Sequence, residues 1–361
     1  MTRRGLFWLA ASGSLCYAGP LEERIRRIEG RWRPAESMPT ERVPAVSIAV
    51  IREGQIEWAR AYGLAVTTGT LFQGGAVGNP VTAMAALHMA QYGQFGLDEP
   101  VNAKLKSWQV PENEFTLQHP VTLRGILSHT AGLTTGTFPG YGEDEEVPGV
   151  LEVLDGRPPA KNPPVRVDAV PGAQYRYSGG GYTVLQVLME DRFGKSFPEL
   201  MRRIVLQRLA MHTSTFEQPL PAESASRAAV GFHENGRSYT GGWYRYPESA
   251  AQGLWTTPID LAKFIIEVQK SLGGSGGKVI ERDMAKLLAV PAPGTHALGM
   301  NVRSGWFGYS GATAGYRAEM WATADGTHGV ALMMNSDGAD PLKQQILAAI
   351  SAESGWPNGL S

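Results

Sequence analysis

The sequence predicts an α+β fold in which an antiparallel sheet is flanked by helices and an all-helical lobe is inserted between the two halves of the sheet. Three observations predict it. Near the start, β-rich runs at residues 43–50 and 55–62 bracket Ile51-Arg52-Glu53-Gly54, a hairpin pattern. Near the end, runs at 317–323 and 329–335 flank Ala324-Asp325-Gly326-Thr327 in the same way. The long middle is patterned for helices. Strands at both ends with helices between them imply one sheet built from both ends of the chain. The expected division is a sheet-containing lobe from residues 20–75 and 216–361, a helical lobe at 76–215, and a separate leader at 1–19.

The remaining elements follow in order. In the leader, Arg3 and Arg4 precede the apolar run Gly5-Leu6-Phe7-Trp8-Leu9-Ala10-Ala11, with small residues up to Ala18-Gly19, which reads either as a short signal peptide directing export to the periplasm or medium or as a frayed or packed N-terminal segment of a cytoplasmic chain. Leu21, Ile25 and Ile28 then recur at helical spacing among charges, an amphipathic surface helix. Gly96-Leu97-Asp98-Glu99-Pro100 closes the first helical segment with turn residues. Residues 134–173, rich in Gly, Pro and acids, read as a solvated loop, including the run Glu143-Asp144-Glu145-Glu146. Helical spacing returns at 181–193 and 197–209. A later helix has a clean start, with Thr257 as N-cap, Pro258 in the first turn and Asp260 as the capping-box acid. A terminal helix opens at Asp340-Pro341 and carries Leu342, Ile346, Leu347 and Ile350.

Composition narrows the function classes. The chain has 361 residues, 33 Lys and Arg against 34 Asp and Glu, and a net charge of -1. That balance offers no basic footprint, so no nucleic-acid partner is expected. A single cysteine, Cys16, excludes an internal disulfide and a cysteine-rich metal site. No run of about 20 apolar residues occurs, so no transmembrane segment is expected. The seven histidines show no metal-ligand spacing, and neither a metal nor a cofactor is expected.

The chain is organised around Leu71-Phe72-Gln73-Gly74-Gly75-Ala76-Val77-Gly78-Asn79-Pro80-Val81-Thr82-Ala83, a glycine-rich approach that runs into an apolar helix. The first turn of a helix lies in the positive end of its dipole, and the residue three positions on shares its face. A Ser followed by a Lys at i+3 would there make a hydroxyl and its base. Those positions hold Ala76 and Asn79. With Ser128-His129-Thr130-Ala131-Gly132-Leu133, the stretch resembles the serine β-lactamase-related hydrolases, which group class C β-lactamases, D-alanyl-D-alanine peptidases and esterases. Members typically read Phe-Gln-x-x-Ser-x-x-Lys-Pro-Val-Thr-Ala at this junction. The resemblance covers roughly residues 36–348 and implies a β-lactamase/transpeptidase-like, two-lobed fold with a cleft between the lobes.

It also implies two further site elements. A loop Tyr faces the nucleophile in working members, and Tyr177 in Arg176-Tyr177-Ser178-Gly179 matches it. With Asn79 supplying no charge, Tyr177 is expected to titrate as an ordinary phenol. A strand next to the site reads Lys-Thr-Gly or His-x-Gly in the family. Here it reads Tyr309-Ser310-Gly311, with Tyr309 at the His position and a strand N–H still able to face a ligand. Losing a nucleophile typically costs about a millionfold in turnover, so acyl-enzyme chemistry is not expected.

Two other strings carry residues suited to related chemistry. Ser275-Gly276-Gly277-Lys278 satisfies S-x-x-K and Gly194-Lys195-Ser196 ends like a P-loop, but the first reads as a flexible connection and the second lacks the upstream glycine. Ser310 is the better outsider because it lies on the cleft strand. His129 reads as a structural brace of the helical lobe.

The reading that results is a homologue that binds a small acyl, amide or peptide-like molecule non-covalently. Its cleft is expected to be lined by Ala76, Asn79, Tyr177, Tyr244, Trp255, Tyr309 and Gly311, with Ser310 beside them. Two alternatives stand beside it: an enzyme repurposed for cyclisation, isomerisation or elimination through Tyr177, Asn79 and Tyr309, and a protein-interaction role in which the aromatics form an exposed patch.

Overall fold

The computed structural model describes residues 19–357 apart from residues 64 and 293; the leader expected at 1–19 lies, but for Gly19, outside them. Six strands form one antiparallel sheet: β1 (Ala45–Arg52), β2 (Gln55–Gly63), β5 (Asn301–Arg303), β6 (Trp306–Thr313), β7 (Tyr316–Thr323) and β8 (His328–Met334), in the order β2-β1-β8-β7-β6-β5. The pairing of β1 with β8, from Val46↔Met334 to Arg52↔His328, zips the N-terminal hairpin to the C-terminal one. Two short strands, β3 (Phe72–Gln73) and β4 (Trp255–Thr256), pair separately beside the site.

The first hairpin turns more tightly than its sequence suggests. The strands reach Arg52 and Gln55, leaving only Glu53 (φ 49°) and Gly54 (φ 67°) between them. Positive φ at both central residues is the two-residue turn whose twist matches that of the strands.

Side-chain alternation decides which helix covers which face. Val46, Ile48 and Val50 of β1 point to the back of the sheet. There they meet Ile25, Ile28 and Trp32 of the first helix (Pro20–Trp32) and Leu342, Ile346 and Ile350 of the terminal helix (Asp340–Ser354). Ala45, Ala49 and Ile51 point to the front, against Leu261, Phe264, Ile265 and Val268 of the helix Pro258–Gly273. Small side chains on this face let the helix approach closely. At its start Thr257 accepts the Asp260 N–H at 3.2 Å, as expected, but the capping box is only half made. The Asp260 carboxylate turns instead to the Thr213 and Ser214 N–H groups at 3.1 Å and to Lys263 at 2.7 Å, stitching down a neighbouring segment.

The front-face core continues without a break into the middle of the chain. Its centre is the helix Gly78–Gln91, buried almost all round and rich in alanine, the residue that loses least on becoming helical. Pro80 is tolerated in its first turn because the N–H it lacks has no partner within the helix there. Residues 134–173 are more than a solvated loop: Phe138, Tyr141, Val153, Leu154 and Val165 are buried and a short helix (Val150–Asp155) forms. The acidic run itself is exposed, with Glu145 paired to Lys161. No helix of the described residues is long and apolar enough to cross a membrane.

Candidate functional site

Phe72 and Gln73 lead through Gly74 into one tight turn, Gly75–Val77, which runs on directly as the helix Gly78–Gln91. Ala76 sits in that turn and is partly exposed, while Asn79, one turn further, is fully buried. Strand β6 presses on the same turn. A Cβ on Gly311 would lie 2.1 Å from the Gly74 carbonyl oxygen and 3.0 Å from the Ala76 nitrogen, and one on Gly75 would lie 2.8 Å from the Ala312 carbonyl oxygen. Only two glycines let the backbones meet this closely, so the strand and the helix start interlock. Gln73 fastens a third piece: its amide donates to the Tyr244 carbonyl at 2.6 Å and accepts from the Thr313 hydroxyl at 3.0 Å.

Tyr177 is delivered from the helical side. Ser178, the next residue, caps the helix Gly179–Phe193 by accepting the Gly181 N–H at 2.9 Å, and this fixes the backbone so that the phenol projects at Asn79. The Asn79 amide donates to the Tyr177 hydroxyl at 3.1 Å, while its own carbonyl oxygen is buried without a hydrogen-bond partner. The expectation of an ordinary phenol is corrected here: burial pushes Tyr177 up to about 12, and the Asn79 amide offsets only part of that. The absence of charge was legible; the loss of solvent was not.

Tyr309 comes from β6 and is 3% exposed. Its hydroxyl lies 2.9 Å from His129 Nε2. Since His129 Nδ1 accepts the Ser178 N–H at 3.2 Å, the ring proton sits on Nε2 and is donated to Tyr309. Burial lowers His129 to about 4, so the imidazole is neutral, as a structural brace should be. Burial also drives Tyr309 well above the usual phenol range. Ala76, Asn79, Tyr177, Tyr309 and His129 therefore make a site without a formal charge at neutral pH.

Two further expectations about the lining change. Trp255 is fully buried on β4, packed edge-to-face against Trp243 at 5.2 Å and Tyr316 at 5.9 Å, where it supports the site from behind and presents no surface to a ligand. Ser310 lies on β6 but faces the back of the sheet, because neighbouring residues on a strand alternate sides. Its hydroxyl donates to Glu319 at 2.7 Å. Tyr244 stays half-exposed, edge-on to Tyr239 at 5.1 Å.

Sequence reasoning missed one part of the surroundings. A cavity of about 390 Å³ shares His129 and Tyr309 with the site and is walled by Tyr175, His296, Met300 and Val302. Tyr175, 45% exposed, meets His129 edge-on at 5.8 Å and lies 5.3 Å from the His296 ring. The only signal in the sequence was that Tyr175 stands two residues before Tyr177. Among the described residues no cluster of His, Cys, Asp and Glu is placed to hold a metal.

A family profile described as Beta-lactamase matches residues 26–353. The chain belongs to the Beta-lactamase family. Among curated relatives it is 27% identical over 281 residues to penicillin-binding protein 4 of Amycolatopsis lactamdurans, covering 73% of this chain and 70% of that one. It is 29% identical over 205 residues to esterase EstB of Burkholderia gladioli, spanning 53% of this chain and 50% of the esterase. Among solved structures, the octameric penicillin-binding protein homologue of Pyrococcus abyssi superposes with a TM-score of 0.72 at 22% identity, over 91% of this chain and 77% of that one. D-amino acid amidase from Ochrobactrum anthropi SV3, complexed with L-phenylalanine, gives a TM-score of 0.72 at 20% identity, over 91% and 99%. These likenesses establish the β-lactamase/transpeptidase-like fold. Within this Beta-lactamase-family frame the start of the central helix carries Ala76 and Asn79.

Proposed function

We propose that this Beta-lactamase-family chain forms no acyl-enzyme and instead holds a small acyl, amide or peptide-like ligand non-covalently in the cleft beside the helix start, against the cavity walled by His129 and Tyr309. The observation that carries the reading is the 3.1 Å contact from the Asn79 amide to the Tyr177 hydroxyl, one turn beyond Ala76. Nucleophilic acyl transfer needs a hydroxyl or thiol and a base to take its proton. Ala76 has no such group. Asn79 is no base, the Tyr177 phenol keeps its proton far above neutral pH, and His129 has both ring nitrogens engaged.

The recognition groups that remain suit a neutral polar ligand. The adjoining cavity contributes aromatic walls from Tyr175, His296 and Tyr309. An acyl or amide ligand also agrees with relatives named as a penicillin-binding protein, an esterase and an amidase. A general-base role for Tyr177 in non-covalent catalysis is disfavoured, because a phenol held at about 12 is a poor acceptor of protons at neutral pH.

The test is intact-protein mass after incubation with a fluorescent penicillin and an activated ester. The natural chain should gain no mass, and an Ala76→Ser/Asn79→Lys variant should gain one acyl group. A stoichiometric adduct on the natural chain would overturn the reading.

A further inference from the structure

Between the front site and the helical lobe runs a short wedge of chain, residues 247–253, centred on the single helical turn Ser249–Gln252. Gln186, on the helix that follows Tyr177, donates to the Pro247 carbonyl at 3.3 Å and accepts the Ala250 N–H at 3.1 Å. Thr82, on the central helix, donates to the Ala250 carbonyl at 3.2 Å, and the Gln252 side chain accepts the Phe138 N–H at 2.7 Å. Just past the wedge the Leu254 carbonyl receives the Gly74 N–H at 2.8 Å, beside the turn that carries Ala76. The wedge therefore ties the helix start to the helix that delivers Tyr177.

At its head stands Glu248, which is 0% exposed. Among the described residues no other residue hydrogen-bonds either carboxylate oxygen, and no Lys, Arg or His offsets its charge. The titratable groups that face it are two phenols, Tyr141 from the loop before the short helix Val150–Asp155 and Tyr246 from its own segment, and burial pushes both further into their neutral forms. The two long helices turn Thr82 and Gln186 towards the wedge, and neither carries charge. A carboxylate shut away without a counter-charge is too costly to desolvate, so the group keeps a proton instead. Burial raises Glu248 to about 8, which makes it an acid in the folded chain at neutral pH.

We propose that residues 247–253 form a proton-operated wedge: Glu248 keeps it seated as a neutral carboxylic acid, and loss of that proton drives the carboxyl out to water, unseats the wedge and slackens the front site. The seated form holds the proton up to about pH 8, whereas a solvated glutamate releases it near 4.5, so opening becomes easier as pH rises between those values and levels off above them. His129 acts in the opposite sense and only below about pH 6.5, so the interval from there to 8 reports Glu248.

Hydrogen exchange of the full chain, corrected for the intrinsic rate at each pH, tests this and needs no ligand, so it stands apart from the acylation test. Opening constants for the amides of residues 250–253 and of Gly74 should rise about tenfold per pH unit, or about thirtyfold across that interval, while amides of β1 and β8 stay at least about tenfold better protected. Glu248→Gln should abolish the slope. The natural chain should also show the infrared band of a protonated carboxyl at neutral pH and lose it above about pH 8, a reading that needs no variant to fold. The proposal is overturned if the wedge amides of the natural chain show no slope, if the slope survives in Glu248→Gln, if Gly74 does not follow the wedge, if the wedge exchanges only together with β1 and β8, or if the carboxyl band is absent at neutral pH.

Discussion

On the front of β6, Tyr309 closes over a neutral set made of Asn79, Tyr177 and His129; on the back, one residue along, Ser310 joins a charged set made of Glu319, Lys343 and Arg303. Both sets are largely buried, and both are tied together by hydrogen bonds of 2.7–3.2 Å. They differ in what burial costs them. The front carries no formal charge, so desolvation only pushes its phenols and imidazole further into their neutral forms. The back keeps an ion pair and must hold it with extra donors. The contrast teaches that one strand can separate two electrostatic regimes by side-chain alternation alone, and that on our reading the family's reactive face has become the inert one.

The sharpest way to break this contrast is to restore charge to the front. Adding Tyr309→His to the Ala76→Ser/Asn79→Lys variant opens the space the phenol fills, and penicillin acylation, read by mass, should quicken by about tenfold or more over the double variant. Removing charge from the back breaks the contrast in stability instead. Lys343→Met leaves Glu319 buried without its cation and should cost about 3–5 kcal/mol in denaturant unfolding, much of it recovered in Lys343→Met/Glu319→Leu.

A pH measurement sharpens the front. His129 titrates near 4 when folded and near 6.5 when unfolded, so between those values the unfolded chain binds the extra proton. Stability should be fully present above about pH 6.5 and fall as pH drops towards 4, by on the order of 3 kcal/mol from this one group. His129→Gln should flatten that part of the pH-stability curve whatever it does to the plateau. The smallest effect is expected from Tyr177→Phe, which strands the buried Asn79 amide and should cost about 1–2 kcal/mol of stability without changing the acylation result on the natural chain.

Much of the frame was legible. Both hairpins, the cap at Thr257 and the glycine-rich approach to the central helix are local signals, set within a few residues by backbone preference and periodicity. The two faces of β6 were legible as well, although Ser310 was grouped with Tyr309: strict alternation on a strand separates them without any structure. Other features had no local signal. His129 and Tyr309 stand 180 residues apart, and nothing near either announces the other. Trp255 reads like a cleft aromatic, and its burial between Trp243 and Tyr316 follows from how two loops fold over each other.

By itself the sequence determined the family, the order of strands and helices, and the residue types at the helix start, because each of these depends on short spacings and on which groups can donate, accept or carry charge. Only the tertiary structure decided what those residues experience. Burial held Tyr177 protonated and His129 neutral, the interlock of Gly75 and Gly311 set how closely β6 meets the helix, and the packing around residues 247–253 shut Glu248 away from water. The physical reason is that desolvation and close approach are set by neighbours distant in the chain, and a residue's own string does not encode them.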